Sequence, residues 1–429
     1  MTVKSPVELI HFPACLSTLI FRCYRNSLAV TKWACTGALL FGIFANEVAA
    51  SQATKADQWL DIIRKSPYEI TKDFYRNIKD IRRWVLLEKG FCEDRQRHIL
   101  FNRRGYFLGY VNNLENAQQT QIRLNQRRQQ LATRGKTRFW AEGHRNATGY
   151  PFALACNQPH VQMQAALERM TGKQPEDRIW GSWDGIKVGS SAAPVPLLEA
   201  VLQIYRVRNQ SYQFDDHILR DLLGQILIES GARKYIRSSA DAVGMLQLLP
   251  AVISDCQIPQ RFASHRMAQI DCALKLYRQN DRNLRPVYNQ RFGHLPTAKK
   301  SKLYAMLLVQ AYHGGIGRIS ALIKTEEDQK ATGESHDSGT DDTSDVNGSN
   351  LQKAGQHFAS NHHRYNAEEI ALGLIFHNLG RNNLGLASLY YLVDVEIASD
   401  ALCELSAIKD QSFCRSSESD YLAQVSDAG

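Results

Sequence analysis

The segment that most constrains the fold is HILRDLLGQILIESG, residues 217–231. Leu222 and Ile226 belong to an apolar series with the three- and four-residue spacing of a buried helical face. Glu229 falls on the same face, and Gly231 is a residue type that commonly ends a helix. The pattern therefore predicts a helix that carries a carboxyl group on an apolar surface near its carboxyl end.

A carboxyl group in that position has two interpretations. Burial disfavours the charged form and would raise the pKa of Glu229, as a general acid working near neutral pH requires. Gly231 would then hold the carboxyl at the mouth of a cleft rather than deep in a core. The alternative is a structural glutamate at a helix end, paired with a neighbouring arginine or a backbone amide. Residues 217–231 alone leave both interpretations open.

Two downstream segments favour the first interpretation. SADAVGMLQLLP at 239–250 and AYHGGIGR at 311–318 follow the Glu-Ser-Gly sequence in the chain. The three motifs together resemble the lytic transglycosylase family of the soluble, lysozyme-like SLT type, whose members cleave peptidoglycan. The family pattern is Glu-Ser-Gly, then Gly-Leu-Met-Gln-Leu-x-Pro, then Ala-Tyr-Asn-Ala-Gly with Gly-Arg shortly behind. The similarity covers roughly residues 202–318, with a weaker match at 390–393.

This resemblance implies a fold and a set of site residues. The fold class is mostly α, with a lysozyme-like catalytic domain at 198–429 preceded by a separate helical domain. Glu229 looks like the single catalytic acid/base, and Tyr391, with Tyr390 as the fallback, looks like the tyrosine that hydrogen-bonds to it. The resemblance assigns substrate contacts to a further set, with Ser230 touching either the glutamate or the substrate: Ser230, Met245, Gln247, Tyr312, His313 and Tyr391.

The sequence departs from the family pattern at several of these positions. His313 stands where the family usually has Asn, and Gly314 where it has Ala. Leu246 replaces the usual Met, Ile316 stands where Pro is frequent, and Asp241 where Gly is frequent. None of these changes removes the acid at the end of the first motif.

The expected reaction needs one carboxyl group and no metal or other cofactor. The acid protonates the glycosidic oxygen, then accepts the proton of the carbon-6 hydroxyl of the same sugar, which leaves a 1,6-anhydromuramyl end. One alternative is a muramidase, in which Asp241 holds a hydrolytic water. Asp241 is also a common residue type in turns and at helix caps. A second alternative is a noncatalytic peptidoglycan-binding scaffold.

The first 50 residues predict export. Residues 34–44 are an uncharged apolar run, too short to span a bilayer, that is followed by small residues and by Ser51. We expect a signal peptide at 1–50 with cleavage after Ala50, and a periplasmic or secreted product. Six cysteines remain, an even number that suits an oxidising compartment. Short intervening loops favour two pairs, Cys256 with Cys272 and Cys403 with Cys414.

Changes in composition along the chain suggest how the part after residue 50 is organised. Residues 51–197 are predicted to form a basic helical N-terminal domain. Apolar residues such as Ile78, Ile81 and Val85 have helical spacing, a pattern extended here to about Leu131, and the first hundred residues hold twice as many Lys and Arg as Asp and Glu. That surface is either simply solvated or a contact for an anionic polymer or a cell-envelope protein; no nucleic-acid motif occurs in it. Residues 172–196 read as a linker or docking loop, and 324–360 as a disordered acidic insertion.

Overall fold

The computed structural model describes residues 58–64, 70–215, 217–324, 354–381 and 384–414. The predicted signal peptide and residues 325–353 of the predicted acidic insertion lie outside the described residues. The described part of the chain is mostly helical, which confirms the predicted fold class at that level. All of these described residues belong to one compact unit.

Thirteen α-helices lie within the described ranges, and they are numbered here in chain order. They are α1 (Gln58–Arg64), α2 (Phe74–Leu87), α3 (Ala117–Thr133), α4 (Met163–Met170), α5 (Leu197–Tyr212), α6 (His217–Ser230), α7 (Pro250–Asp255), α8 (Arg266–Phe292), α9 (Thr297–Gly314), α10 (Ile316–Ile323), α11 (Ala354–Ser360), α12 (Ala367–His377) and α13 (Leu386–Cys403). None of them is long and apolar enough to cross a membrane.

Five short strands interrupt the helical segment before residue 197. They are β1 (Arg97–Phe101), β2 (Phe107–Asn112), β3 (Phe152–Ala155), β4 (Gly181–Trp183) and β5 (Ile186–Val188). The first three form an antiparallel sheet in the order β2-β1-β3, in which Ile99 pairs with Tyr110 and with Leu154. The last two form a hairpin within 172–196.

The sheet corrects the prediction of an entirely helical N-terminal segment. The helical spacing seen around Ile78 and Val85 belongs to α2, which ends at Leu87. Beyond it, RHILF and FLGYVN are rich in β-branched and aromatic residues, a composition typical of strands. A tight turn joins them, with Gly105 in the left-handed region at φ 77°. Residues 97–112 are therefore a hairpin rather than part of a long helix.

The expected boundary at residue 197 does not separate two cores. One hydrophobic cluster contains buried side chains from both sides of it, among them Ile78, Leu197 and Leu392. A smaller cluster lies between α3 and the sheet and consists of Leu100, Val111, Leu124 and Leu131. Across the main core, the Arg82 guanidinium of α2 donates to both carboxylate oxygens of Asp394 on α13 at 2.6 and 2.7 Å. The described part of 51–197 thus shares its core with 198–429.

Three disulfides cross-link the described residues. Cys256–Cys272 and Cys403–Cys414 confirm the two predicted pairs, with sequence separations of 16 and 11. Cys92–Cys156 is the third, and its separation of 64 ties the residues just before β1 to the end of β3. Closing such loops restricts the unfolded chain and so stabilises the folded one.

The end of the predicted acidic insertion is ordered and helical. Residues 354–360 form α11, in which the Phe358 ring is fully buried against Gly373 of α12. A prediction of disorder up to residue 360 is therefore wrong for its last seven residues. The apolar side chains Ala354, Phe358 and Ala359 explain the difference, because they supply the buried surface that the preceding acidic stretch lacks.

Candidate active site

The site is built where the carboxyl end of α6 meets the first turns of α13. Leu222 and Ile226 are fully buried and fix the face of α6 that turns inward, as the sequence pattern predicts. The helices approach closely at Gly224, where a Cβ atom would stand 2.3 Å from Ser399 Oγ. This contact brings the side chain of Tyr391, near the start of α13, to the end of α6. The predicted helix and its end at Gly231, which has φ 64°, are confirmed.

Glu229 and Tyr391 are joined by a short hydrogen bond. The Tyr391 hydroxyl donates to Glu229 Oε1 at 2.6 Å. Burial raises the pKa of Glu229 to about 7, and the hydrogen bond from Tyr391 opposes that rise by stabilising the carboxylate. The predicted increase in pKa is therefore present. Tyr391, and not Tyr390, is therefore the tyrosine that hydrogen-bonds to Glu229. The Tyr390 hydroxyl has no hydrogen-bond partner in the described ranges, and its ring faces Arg82.

The other groups close to the acid are phenols. Tyr277 and Tyr312 stack with ring centroids 5.9 Å apart, and the Tyr277 hydroxyl donates to Gln225 Oε1 at 2.8 Å. Burial raises the pKa of Tyr277, Tyr312 and Tyr391 well above the ordinary value, and the nearby charge of Glu229 raises each further. All three phenols therefore stay protonated at neutral pH. Of the three neutral hydroxyls, that of Tyr391 donates to Glu229, whereas that of Tyr277 donates to Gln225 and that of Tyr312 to the Leu246 carbonyl.

The loop at 243–248 is held in place by one buried amide. Gln269 of α8 is fully buried, and its Nε2 donates to the carbonyls of Val243 at 3.0 Å and Ala263 at 2.7 Å. Its Oε1 accepts from the Leu246 amide at 3.0 Å. Gly244 makes this approach possible, because it has φ 77° and a Cβ there would lie 1.9 Å from Gln269 Nε2. The motif glycine is thus explained by a residue that the sequence analysis missed.

Ser230, Met245 and Tyr312 also brace this loop. The Ser230 hydroxyl donates to the Met245 carbonyl at 2.7 Å, and the Tyr312 hydroxyl donates to the Leu246 carbonyl at 3.0 Å. Ser230 and Met245 are 0% and 1% exposed. This corrects the expectation that their side chains contact substrate, because neither has surface to offer. The half-buried Tyr312 ring lies in the site, but its hydroxyl is engaged within the protein.

Gln247 and His313 lie nearer the surface. Gln247 is half-buried, and its Nε2 donates to the Gly244 carbonyl at 2.8 Å, within its own loop. The exposed His313 stacks on Tyr391, with ring centroids 4.1 Å apart and an angle of 19° between the ring planes. Surrounding protein atoms, and to a lesser degree the charge of Arg318, lower the pKa of His313 to about 4. His313 is therefore neutral at the pH where Glu229 titrates.

Asp241 is engaged in an ion pair at the surface. Its exposed carboxylate forms an ion pair at 3.1 Å with Arg237, four residues earlier in the sequence. Asp241 lies on a loop and has φ 61°. In the described ranges no hydrogen bond joins it to Glu229 or Tyr391. Over the same ranges, no group of three or more His, Cys, Asp or Glu side chains is arranged to hold a metal ion.

The arrangement can perform acid–base chemistry with one carboxyl group. The pKa of Glu229 lies near neutral pH, and the Tyr391 hydroxyl donates to one of its oxygens. The 243–248 loop, which is braced by Gln269, contacts the end of α6 through Ser230. Four of the predicted residues come together: Glu229, Tyr312, His313 and Tyr391. Ser230 and Met245 are buried beside them, and the Ser230 hydroxyl donates to the Met245 carbonyl. No family model matches the chain, and no match to it is found among curated proteins.

The raised pKa of Glu229 predicts a pH-dependent difference in stability between the wild-type protein and Glu229→Gln. Below the ordinary value of 4.5, the carboxyl is protonated in both folded and unfolded chains. Between 4.5 and about 7 the folded chain binds more protons, so the free energy of unfolding of the wild type falls as the pH rises. We expect Glu229→Gln to be the more stable protein above pH 7, by about 3 kcal/mol.

Urea unfolding at about pH 4.5 and about pH 8 measures this difference. The substitution keeps an oxygen that can accept from Tyr391, so the hydrogen bond is matched between the two proteins. A free-energy difference that is the same at both pH values would show that Glu229 is not a buried acid with a raised pKa.

Proposed function

We propose that this protein is an exported peptidoglycan lytic transglycosylase that cleaves the bond between N-acetylmuramic acid and N-acetylglucosamine. The observation that carries the proposal is Glu229, a carboxyl group with a pKa of about 7 that is held by the Tyr391 hydroxyl. A general acid is most effective when its pKa lies near the working pH. The resemblance of the three sequence motifs to the SLT type supplies the substrate class.

The number of carboxyl groups favours a transglycosylase over a hydrolase. A hydrolase normally uses two carboxyl groups, about 5–10 Å apart, on either side of the scissile bond. Asp241 pairs with Arg237 at the surface. Asp221 lies on α6 eight residues before Glu229, a distance of roughly 12 Å along a helix, and its carboxyl is buried in the core. Neither is placed as a partner for Glu229, whereas the intramolecular reaction requires none.

In the first step of the proposed reaction, protonated Glu229 acts as the general acid. Because Tyr391 donates to Oε1, the transferable proton resides on Oε2. That proton passes to the glycosidic oxygen, the bond from this oxygen to the muramic acid C1 breaks, and the leaving sugar departs as an alcohol. The Tyr391 hydrogen bond stabilises the carboxylate that remains and so favours this step.

In the second step, the Glu229 carboxylate acts as the base. It accepts the proton of the muramic acid carbon-6 hydroxyl, while the oxygen of that hydroxyl forms a bond to C1. The product carries a 1,6-anhydro ring, no water is consumed, and Glu229 regains its proton. The apolar surroundings of α6 favour this outcome by limiting access of competing water.

Export and partner follow from the same proposal. Peptidoglycan lies outside the cytoplasm, and the three disulfides suit an oxidising compartment. Glycan strands are the proposed substrate. The exposed basic residues of α3, such as Arg123, offer a surface to an anionic or cell-envelope partner.

Digestion of purified sacculi with the mature protein tests the proposal. We expect soluble muropeptides whose masses show 1,6-anhydromuramic acid ends, identified by mass spectrometry before and after borohydride reduction. Reducing ends that carry an added water would show a muramidase instead. Absence of any released muropeptide would favour a noncatalytic binding protein and overturn the proposal.

A further inference from the structure

We propose that His313 is a positioning residue, which acts on Glu229 through Tyr391 by holding the tyrosine ring where its hydroxyl meets the carboxyl group. The inference rests on the proposed function for its kinetic consequence only. The structural basis is a series of contacts in which His313 of α9 stacks on Tyr391 of α13, and Tyr391 hydrogen-bonds to Glu229 of α6.

The geometry of this series is specific. The His313 and Tyr391 rings stack with centroids 4.1 Å apart and planes 19° apart, and the Tyr391 hydroxyl reaches Glu229 Oε1 at 2.6 Å. One ring face of Tyr391 is thus covered by another flat ring. Stacking of an aromatic pair adds to the stabilisation that its buried area provides, and it therefore restricts rotation of the phenol.

The position of His313 in the chain makes it suited to this task. His313 lies in the last turn of α9, next to Tyr312, whose hydroxyl is bonded to the Leu246 carbonyl at 3.0 Å. Gly315 follows with φ 85° and begins α10. The histidine backbone is therefore held in the last turn of α9, and the stack on Tyr391 holds one face of its ring.

His313 also supports Tyr391 without adding charge. A cation at this point would favour the carboxylate form of Glu229, lower its pKa and leave less of it protonated at neutral pH. Burial and the Arg318 charge lower the pKa of His313 to about 4, so the ring is neutral where Glu229 titrates. Within the described residues, the other titratable or charged groups that act on His313, Tyr391 or their phenol neighbours are Tyr312, Tyr277, Asp221 and Arg318.

The first measurement is the titration of the Glu229 carboxyl carbon by NMR, with the signal assigned from Glu229→Gln. Loosening the Tyr391 hydrogen bond removes a stabiliser of the carboxylate, so His313→Ala should raise the titration midpoint by about 0.5–1 pH unit. His313→Phe keeps a flat ring and should restore the wild-type midpoint. His144→Ala is the control: it changes an exposed histidine far from His313 in the sequence and should leave the titration midpoint of Glu229 unchanged.

The same titration in a Tyr391→Phe background separates a role through the tyrosine from direct shielding. If His313 acts through the hydroxyl of Tyr391, then His313→Ala should no longer move the midpoint in that background. A shift of equal size in both backgrounds would overturn the inference, and so would an unchanged midpoint in His313→Ala alone. These outcomes do not depend on catalysis, so they are distinct from failure of the proposed function.

Kinetics on glycan strands give the second measurement. A positioning residue affects the chemical step, so we expect His313→Ala to lower kcat about tenfold with little change in KM, and His313→Phe to recover most of kcat. A rise in KM at unchanged kcat, uncorrected by phenylalanine, would show that His313 contacts substrate instead and would overturn the inference. Inactivity of the wild-type protein would refute the proposed function while leaving the titration result intact.

Discussion

Glu229→Gln is expected to abolish release of 1,6-anhydromuropeptides from sacculi. The substitution preserves the shape of the side chain and its hydrogen bond from Tyr391 but removes the proton that the reaction transfers. A positioned general acid contributes about 10²–10⁴-fold to a rate. Because Glu229 acts as acid in one step of the proposed reaction and as base in the next, we expect a loss of at least about 10³-fold, measured as the initial rate of muropeptide release.

The control for this experiment is Glu199→Gln. Glu199 is an exposed glutamate in the first turn of α5, and its carboxylate accepts a hydrogen bond from Gln203. That variant should release muropeptides at the wild-type rate. Full activity in Glu229→Gln, with the variant shown to be folded by circular dichroism, would mean that another group is the acid.

The sequence was sufficient to predict the helix and the acid because both depend on local pattern. The apolar spacing in α6 specifies which face is buried, and Glu229 on that face acquires a raised pKa wherever the helix packs. The choice of Tyr391 over Tyr390 came from a family resemblance, and helix geometry explains its outcome. Adjacent helical residues point about 100° apart, so only one of the two hydroxyls can reach α6.

The missed features depend on contacts between distant segments. Gln269 braces the 243–248 loop from α8, and nothing in the local sequence distinguishes it from a surface glutamine. Ser230 and Met245 are motif residues whose burial appears only once the loop folds over the end of α6. The β1–β2 hairpin was missed because the helical spacing of α2 was extended past the residue where it ends.

The shared core has a similar origin. Composition shifts near residue 172 suggested a linker, but polar and glycine-rich segments also form hairpins on a domain surface. Besides the shared hydrophobic core, the two parts are joined by an ion pair between residues 312 positions apart in the chain, Arg82 and Asp394. Sequence alone gives no signal for such a pair. Its consequence is that α13, which carries Tyr391, is fixed partly by α2.

Arg82→Met is accordingly expected to destabilise the whole unit and the site with it. Arg82 and Asp394 are 5% and 7% exposed and form two hydrogen bonds at 2.6 and 2.7 Å. Removing one partner of such a pair leaves a buried charge uncompensated, which costs about 3–5 kcal/mol. Urea unfolding at neutral pH measures the loss, and an unchanged m-value would show that the compactness of the unfolded chain is not its cause.

The pH dependence and a second substitution identify the cause. Burial already raises the pKa of Asp394 against the opposing effect of Arg82, so without Arg82 that pKa should rise further. A raised pKa in the folded state means that stability is lost as the pH increases, so the deficit of Arg82→Met should shrink in acid. Adding Asp394→Leu should recover most of the loss at neutral pH, because an apolar pair replaces the stranded carboxylate. If the double variant is no more stable than Arg82→Met, or if the single variant loses less than about 1 kcal/mol, the α2 segment is not an integral part of the core that positions Tyr391.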